Sequence, residues 1–221
     1  MNELTFFLHI IALMSFVLIT LRMGKEALTA ALVVQIILAN LFVTKQMVLF
    51  GFNITCSEVY TIGGIFTMNL LQSYYGKKTA HRALLILFFL LFFVLVMGQF
   101  HLRYLPSQYD VMHRPFTMIL GSTPRIIMTS FCCTLATQKL DIELFGLFKK
   151  KLPFFLAFGC GSMISQFLDT VGFSFIALYG VVHSMRDIIF MSYIVKLVVI
   201  LSVIPFTFLV KKFIRHDPLQ V

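Results

Sequence analysis

Long apolar runs separated by short polar breaks dominate the chain. Seven stand out, at residues 4–21, 28–50, 57–75, 81–100, 117–146, 153–180 and 187–210. Each approaches or exceeds the ~20 residues that a helix needs to cross a bilayer. Runs such as ALLILFFLLFFVLVMG lack the period-two alternation of a barrel strand. In lipid only helices and closed barrels satisfy the backbone. The pattern therefore predicts an all-α, polytopic integral membrane bundle of about seven transmembrane helices, forming one domain over 1–221.

Composition strengthens this reading. Hydrophobic side chains make up 59% of the 221 residues and charged ones 12%, too few to clothe a soluble domain of this size. The net charge of +9 sits in short clusters between the apolar runs, not in a basic arm, which argues against a nucleic-acid partner. Arg22 and Lys25 follow the first run, and Lys77, Lys78 and Arg82 the third. Lys149, Lys150 and Lys151 follow the fifth, and Lys211, Lys212 and Arg215 the last. The opposite loops hold Arg103, Arg114 and Arg186. By the positive-inside rule the N-terminus is outside and the C-terminus cytoplasmic, in a cell (inner) membrane. The first run carries Glu3 and no basic leader, so it reads as a retained helix and not a signal peptide. Cys56, Cys132, Cys133 and Cys160 have no spacing that suggests a disulfide framework or a metal site, and no cofactor is expected.

Two breaks within the apolar pattern bear on chemistry. GSTPR at 121–125 reads as a helix start, with Thr123 as N-cap, Pro124 in the first turn and Arg125 near the outer interface. Residues 116–120 are then an entry or re-entrant piece. His9, inside the first run, reads as a packed or interfacial histidine and not a ligand.

The second break is a doubled phrase. Thr137-Gln138-x-Leu140-Asp141 recurs as Ser165-Gln166-x-Leu168-Asp169. An Asp at the bilayer centre costs roughly 2.5–3.5 kcal/mol and marks a cavity or a partner. Lys196 in the last run is the natural partner of Asp169. Helical spacing gathers Ser162, Gln166, Asp169 and Phe173 into one stripe, with Ala157, Gly161 and Ser165 beside it. Ser130, Thr134, Thr137, Gln138 and Asp141 make a matching stripe on the fifth run. Gln138 lies about fourteen residues from Pro124, and Gln166 about thirteen from Pro153. At 1.5 Å per residue each is roughly 20 Å along its helix, entered from opposite sides. In a core of about 30 Å they would flank the midplane, as inverted pairs do in transporters. Amides and carboxylates suit the edge of a planar heterocycle, and the 26 Phe residues could stack on its faces. The residues alone thus point to a carrier for a small, planar, polar solute.

GKEALTAALVVQIILANLFVTKQMVLFGF at 24–52, NLLQSYYGKK at 69–78 and SMISQFLDTVGFSFIAL at 162–178 resemble the YhhQ/VUT family of vitamin uptake transporter-like proteins, or queuosine precursor transporters. The similarity runs from about Gly24 to Lys212, and SQFLDT is its most specific piece. It implies a family core of six spans plus an N-terminal one, and uptake of a 7-deazaguanine base such as the cyano or aminomethyl form, or queuine. The matching site positions it implies are Asn40, Lys45, Gln138, Asp141, Gln166, Asp169 and Lys196. Asn69, also expected at the site, and Ser73 stand where members often carry Asp and Glu, a departure that bears on the choice between neutral and cationic bases. The alternative is a substrate-binding membrane subunit of an ATP-driven vitamin uptake system. An enzyme is not expected, since no nucleophile–base pair or metal motif is present. The small-residue faces leave room for a homodimer.

Overall fold

The computed structural model describes residues 1–43, 45–121, 124–178 and 185–213. Thr123, Arg215 and the end of the sixth apolar run fall outside it, as do the side chains of Arg125, Ser130, Arg186, Lys211 and Lys212. Seven long helices form the bundle: α1 (Asn2–Met23), α2 (Lys25–Phe42), α3 (Glu58–Tyr75), α4 (Lys77–Arg103), α6 (Pro124–Lys149), α7 (Phe154–Phe173) and α8 (Met185–Phe213). A short helix, α5 (His113–Leu120), lies between α4 and α6, and a π-helical turn, Ser174–Leu178, extends α7. Single glycines join α1 to α2 and α3 to α4. Gly24 (φ 118°) and Gly76 (φ 85°) adopt backbone conformations that other residues rarely reach, so each chain reversal needs one residue.

Two of the seven runs differ from the sequence pattern. The second run breaks at Phe42, and residues 43 and 45–50 are not helical. Instead β1 (Gln46–Leu49) and β2 (Phe52–Thr55) pair antiparallel, with Leu49 opposite Phe52. The two turn residues, Phe50 (φ 50°) and Gly51 (φ 83°), both have positive φ, as in a type I′ hairpin. An apolar hairpin and an apolar helix look alike by composition, so length alone mis-assigned these residues. The fifth run is likewise two elements: α6 begins at Pro124, as the GSTPR reading expects, and the preceding piece is the separate α5, which buries none of its residues.

The hairpin shares one end of the bundle with the N-terminus. Asn2 donates to the Val48 carbonyl (2.8 Å), and Glu3 accepts from the Phe50 N–H (3.3 Å). The opposite end carries Lys149–Lys151 and the two glycine reversals.

Five of the described helices, α1, α2, α4, α7 and α8, are long and apolar enough to cross a membrane by composition. α3 and α6 fall below that threshold because they carry the polar residues, and α3 can do so because it is central. It packs against all six other long helices and buries Thr67, Asn69, Gln72 and Ser73. Lipid meets the outer faces instead, with Phe7, Phe16, Phe89 and Phe92 among many exposed apolar side chains. Much of the phenylalanine content therefore faces acyl chains.

The α2–α3 seam is unusually close. A Cβ on Gly63 would stand 2.5 Å from Gln35 Oε1, and one on Gly64 would stand 2.6 Å from Ile36 Cδ1. Gln35 cannot swing aside freely, since its Nε2 donates to Thr67 Oγ1 (3.0 Å) and the Ala31 carbonyl (3.1 Å). Overpacking of this kind costs about 1–3 kcal/mol. Gly63→Val is therefore expected to lower the melting temperature of the detergent-solubilised protein clearly. Gly172→Ala, whose new Cβ meets nothing within 4 Å, should leave it unchanged or slightly raised; a fluorescence-based thermal melt compares the two.

Candidate functional site

The doubled phrase turns out to be a reciprocal clasp. α6 and α7 run antiparallel in close contact, and Thr137 Oγ1, which donates to the Cys133 carbonyl (2.7 Å), stands 3.4 Å from Asp169 Oδ1, while Ser165 Oγ donates to Asp141 Oδ1 (3.1 Å). The hydroxyl that opens each motif thus reaches the carboxylate that closes the other. Hydroxyl and acid are four residues apart in both helices, so each pair occupies one turn and the two rungs are about 6 Å apart along the seam. The small-residue stripe is what allows this approach. A Cβ on Gly161 would already touch the Phe145 backbone and Asp141 Oδ1 at 3.6–3.7 Å.

Asp169 also receives Lys196 from α8, Nζ to Oδ2 at 2.8 Å, with side chains 17% and 8% exposed. The partner expected from sequence is the partner found. A membrane-buried ammonium and carboxylate must share charge, because neither can be hydrated there.

Around Asp141 the polar groups are only partly satisfied. Asn69 from α3 lies near enough to interact with it, yet both atoms of the Asn69 amide lack a hydrogen bond of normal geometry. The same holds for Asp141 Oδ2, Gln138 Oε1, Gln166 Oε1, Ser162 Oγ and Gln72 Oε1. Asn69 and Asp141 are wholly buried. Buried polar atoms almost always find a partner, so a group of unpaired ones on three facing helices is a site with acceptors and donors to offer. Gln72 is anchored by donating to the Ile142 carbonyl (2.9 Å), in space that Gly146 leaves open. Beside this region Phe66, Phe145, Phe154 and Phe158 pack edge to face. Lys149 donates to the hydroxyl and carbonyl of Ser73.

The sequence-derived residues separate into two groups. Gln138, Asp141, Gln166, Asp169, Lys196 and Asn69 come together along the α3–α6–α7–α8 interior. Asn40, near the end of α2, donates to the Ile36 carbonyl (2.8 Å), and Lys45, just before β1, is exposed beside a different space. That space is a cavity of about 330 Å³ at the N-terminal end, lined by residues of α1, α2, the hairpin and α3. Glu58, which sequence reasoning passed over, lines it. It is buried at the first turn of α3 and stands within electrostatic range of both Lys196 and Asp169. The signal was available in a charged residue opening an otherwise neutral span, but a helix-terminal acid reads as an ordinary first-turn residue.

Spanning helices that enclose a buried, partly unpaired polar interior define a polytopic membrane transporter. Comparison with known proteins agrees. The family model described as "Putative vitamin uptake transporter" matches residues 55–210, and the chain belongs to that family. It is also similar to a Bacillus subtilis (strain 168) protein named "Probable queuosine precursor transporter", with 26% identity over 222 residues that cover 98% of this chain and 97% of the relative. No solved structure matches it.

The ion pair yields a sign-definite test. Removing one partner of a buried pair leaves an uncompensated charge and costs about 3–5 kcal/mol, while removing both together costs less or nothing. Lys196→Met alone is expected to lower the melting temperature more than the double variant Asp169→Leu/Lys196→Met does, as read by a double-mutant cycle of thermal melts in detergent.

Proposed function

We propose that the protein imports a queuosine precursor, a 7-deazaguanine-type base such as the cyano or aminomethyl form or queuine, across the cytoplasmic membrane. The observation that carries this reading is the set of unpaired buried polar atoms on Asn69, Gln138, Asp141 and Gln166. A guanine-like edge offers ring N–H and exocyclic amine donors beside a carbonyl acceptor. Carboxylate and amide oxygens meet the donors, and the Asn69 amide can give as well as take. A solute that brings its own donors relieves the desolvation penalty of those atoms. The name of the similar Bacillus protein supports the same solute class.

In this reading the clasped carboxylates have distinct tasks. Asp169 is held by Lys196 beside Thr137 and stabilises the fold of the seam. Asp141 has one oxygen committed to Ser165 and one uncommitted, and the uncommitted oxygen takes the ring N–H. The lysine-rich end faces the cytoplasm and the hairpin end faces outward, following the distribution of basic loops.

The test uses a host unable to make queuosine. The chain is expressed, each precursor is supplied, and queuosine in tRNA is measured. The intact protein should restore queuosine, and Asp141→Asn and Asn69→Leu should abolish the signal. Because the Asn69 amide makes no hydrogen bond of normal geometry, Asn69→Leu should keep its membrane abundance near that of the parent, and a melt in detergent checks that it folds. Restored queuosine with both variants would remove these residues from the site, and no restoration with any base would remove the solute assignment.

A further inference from the structure

The cavity at the hairpin end is not part of the clasped interior, and its chemistry is specific. One wall is aromatic: the rings of His9 and Tyr60 meet edge to face at 4.7 Å, Phe42 leans on Tyr60 at 5.8 Å, and all three line the space together with Phe6. Its polar lining holds Glu58, near the Thr55 hydroxyl and without a cation within ion-pair distance among the described residues, and the exposed Lys45. The hairpin supplies the roof through Met47 and Thr55, and it is tied to α1 by the Asn2 and Glu3 contacts.

Three features define what fits. About 330 Å³ lies in the range of small-molecule sites and is far above the space of a few waters. Aromatic edges and faces on one side favour a flat ring system. A carboxylate without its own cation favours N–H donors, or a single positive charge. Glu58 and Asp169 moreover share the field of one buried ammonium, Lys196.

We propose that this cavity is an outer recognition site that captures a planar, N–H-bearing heteroaromatic solute on the Glu58 carboxylate between aromatic side chains, before the solute reaches the clasped interior. The location makes the two sites sequential. Glu58 lies on α3 at the cavity floor, and the same helix carries Asn69 about 16 Å further along. Lys196 stands between, in contact with Asp169 and in electrostatic range of Glu58. A solute cation or N–H held on Glu58 alters the pull on Lys196 and so acts on the clasp that it must pass. The inference rests on the transport reading only for the identity of the solute.

Cys56 provides the test, since it lines the cavity and is partly exposed. In a chain with Cys132, Cys133 and Cys160 replaced by Ser, a small membrane-impermeant methanethiosulfonate should modify Cys56 from the outer side of right-side-out vesicles. The cyano base, the aminomethyl base and queuine are each added as protectants, with guanine for comparison. At least one transported base is expected to slow modification at concentrations that saturate uptake. Glu58→Gln should remove that protection and raise the half-saturating concentration for uptake about tenfold or more. If a base is taken up at saturation while the rate of Cys56 modification is unchanged, the cavity proposal is overturned and the transport reading survives. If no base is taken up, protection by any of the four still supports the cavity, and protection by none overturns it.

Discussion

The bilayer offers no water to a polar group, and every feature of this interior follows from how that demand is met. The ammonium of Lys196 and the carboxylate of Asp169 are the largest charges that the seam must neutralise, and they neutralise each other at 2.8 Å. With that pair in place α8 is tied to α7, and Thr137 of α6 stands beside the same carboxylate. What remains on the Asp141 side is a lesser imbalance, made of neutral amides and one half-used carboxylate, and it is of the size that a small solute can correct. A fully satisfied seam would be a stable bundle with nothing to bind.

Much of this was legible in the chain. Seven runs gave seven long helices, and an Asp and a Lys in different runs implied each other. The repeat Thr/Ser-Gln-x-Leu-Asp marked the two helices that clasp, although its meaning lay in cross-helix hydrogen bonding, which spacing within one helix cannot show. The hairpin over Gln46–Thr55 stayed hidden because hydropathy does not distinguish a short apolar β-ribbon from the end of an apolar helix. Glu58 stayed hidden for a different reason: its importance comes from what α1, the hairpin and α8 bring to it, not from its neighbours in sequence. The abundance of Phe suggested stacking on a solute, but many of those rings, such as Phe89 and Phe92, are exposed on the outer faces, and a separate quartet packs on itself.

Helix polarity follows position in the bundle and not span count. α3 and α6 are too polar to stand alone in lipid by composition, and they carry Asn69, Gln72, Gln138 and Asp141. Their apolar neighbours make that tolerable by enclosing them, α3 most completely. The family match begins at residue 55, with α3 following directly, so it takes in the whole clasp, whereas α1, α2 and β1 lie before it. Those earlier elements supply half of the residues around the hairpin-end cavity, and the Bacillus relative aligns across them as well.

The glycine seam between α2 and α3 has a mechanical consequence. Two helices whose Gln35 and Ile36 side chains seat on Gly63 and Gly64, pinned by the Gln35–Thr67 hydrogen bond, have little room to slide or rotate past one another. They behave as a single stiff plank down the middle of the protein. Any rearrangement of the bundle then falls to the other members, and the hydroxyl–acid contacts between α6 and α7 are weaker ties than the glycine seam.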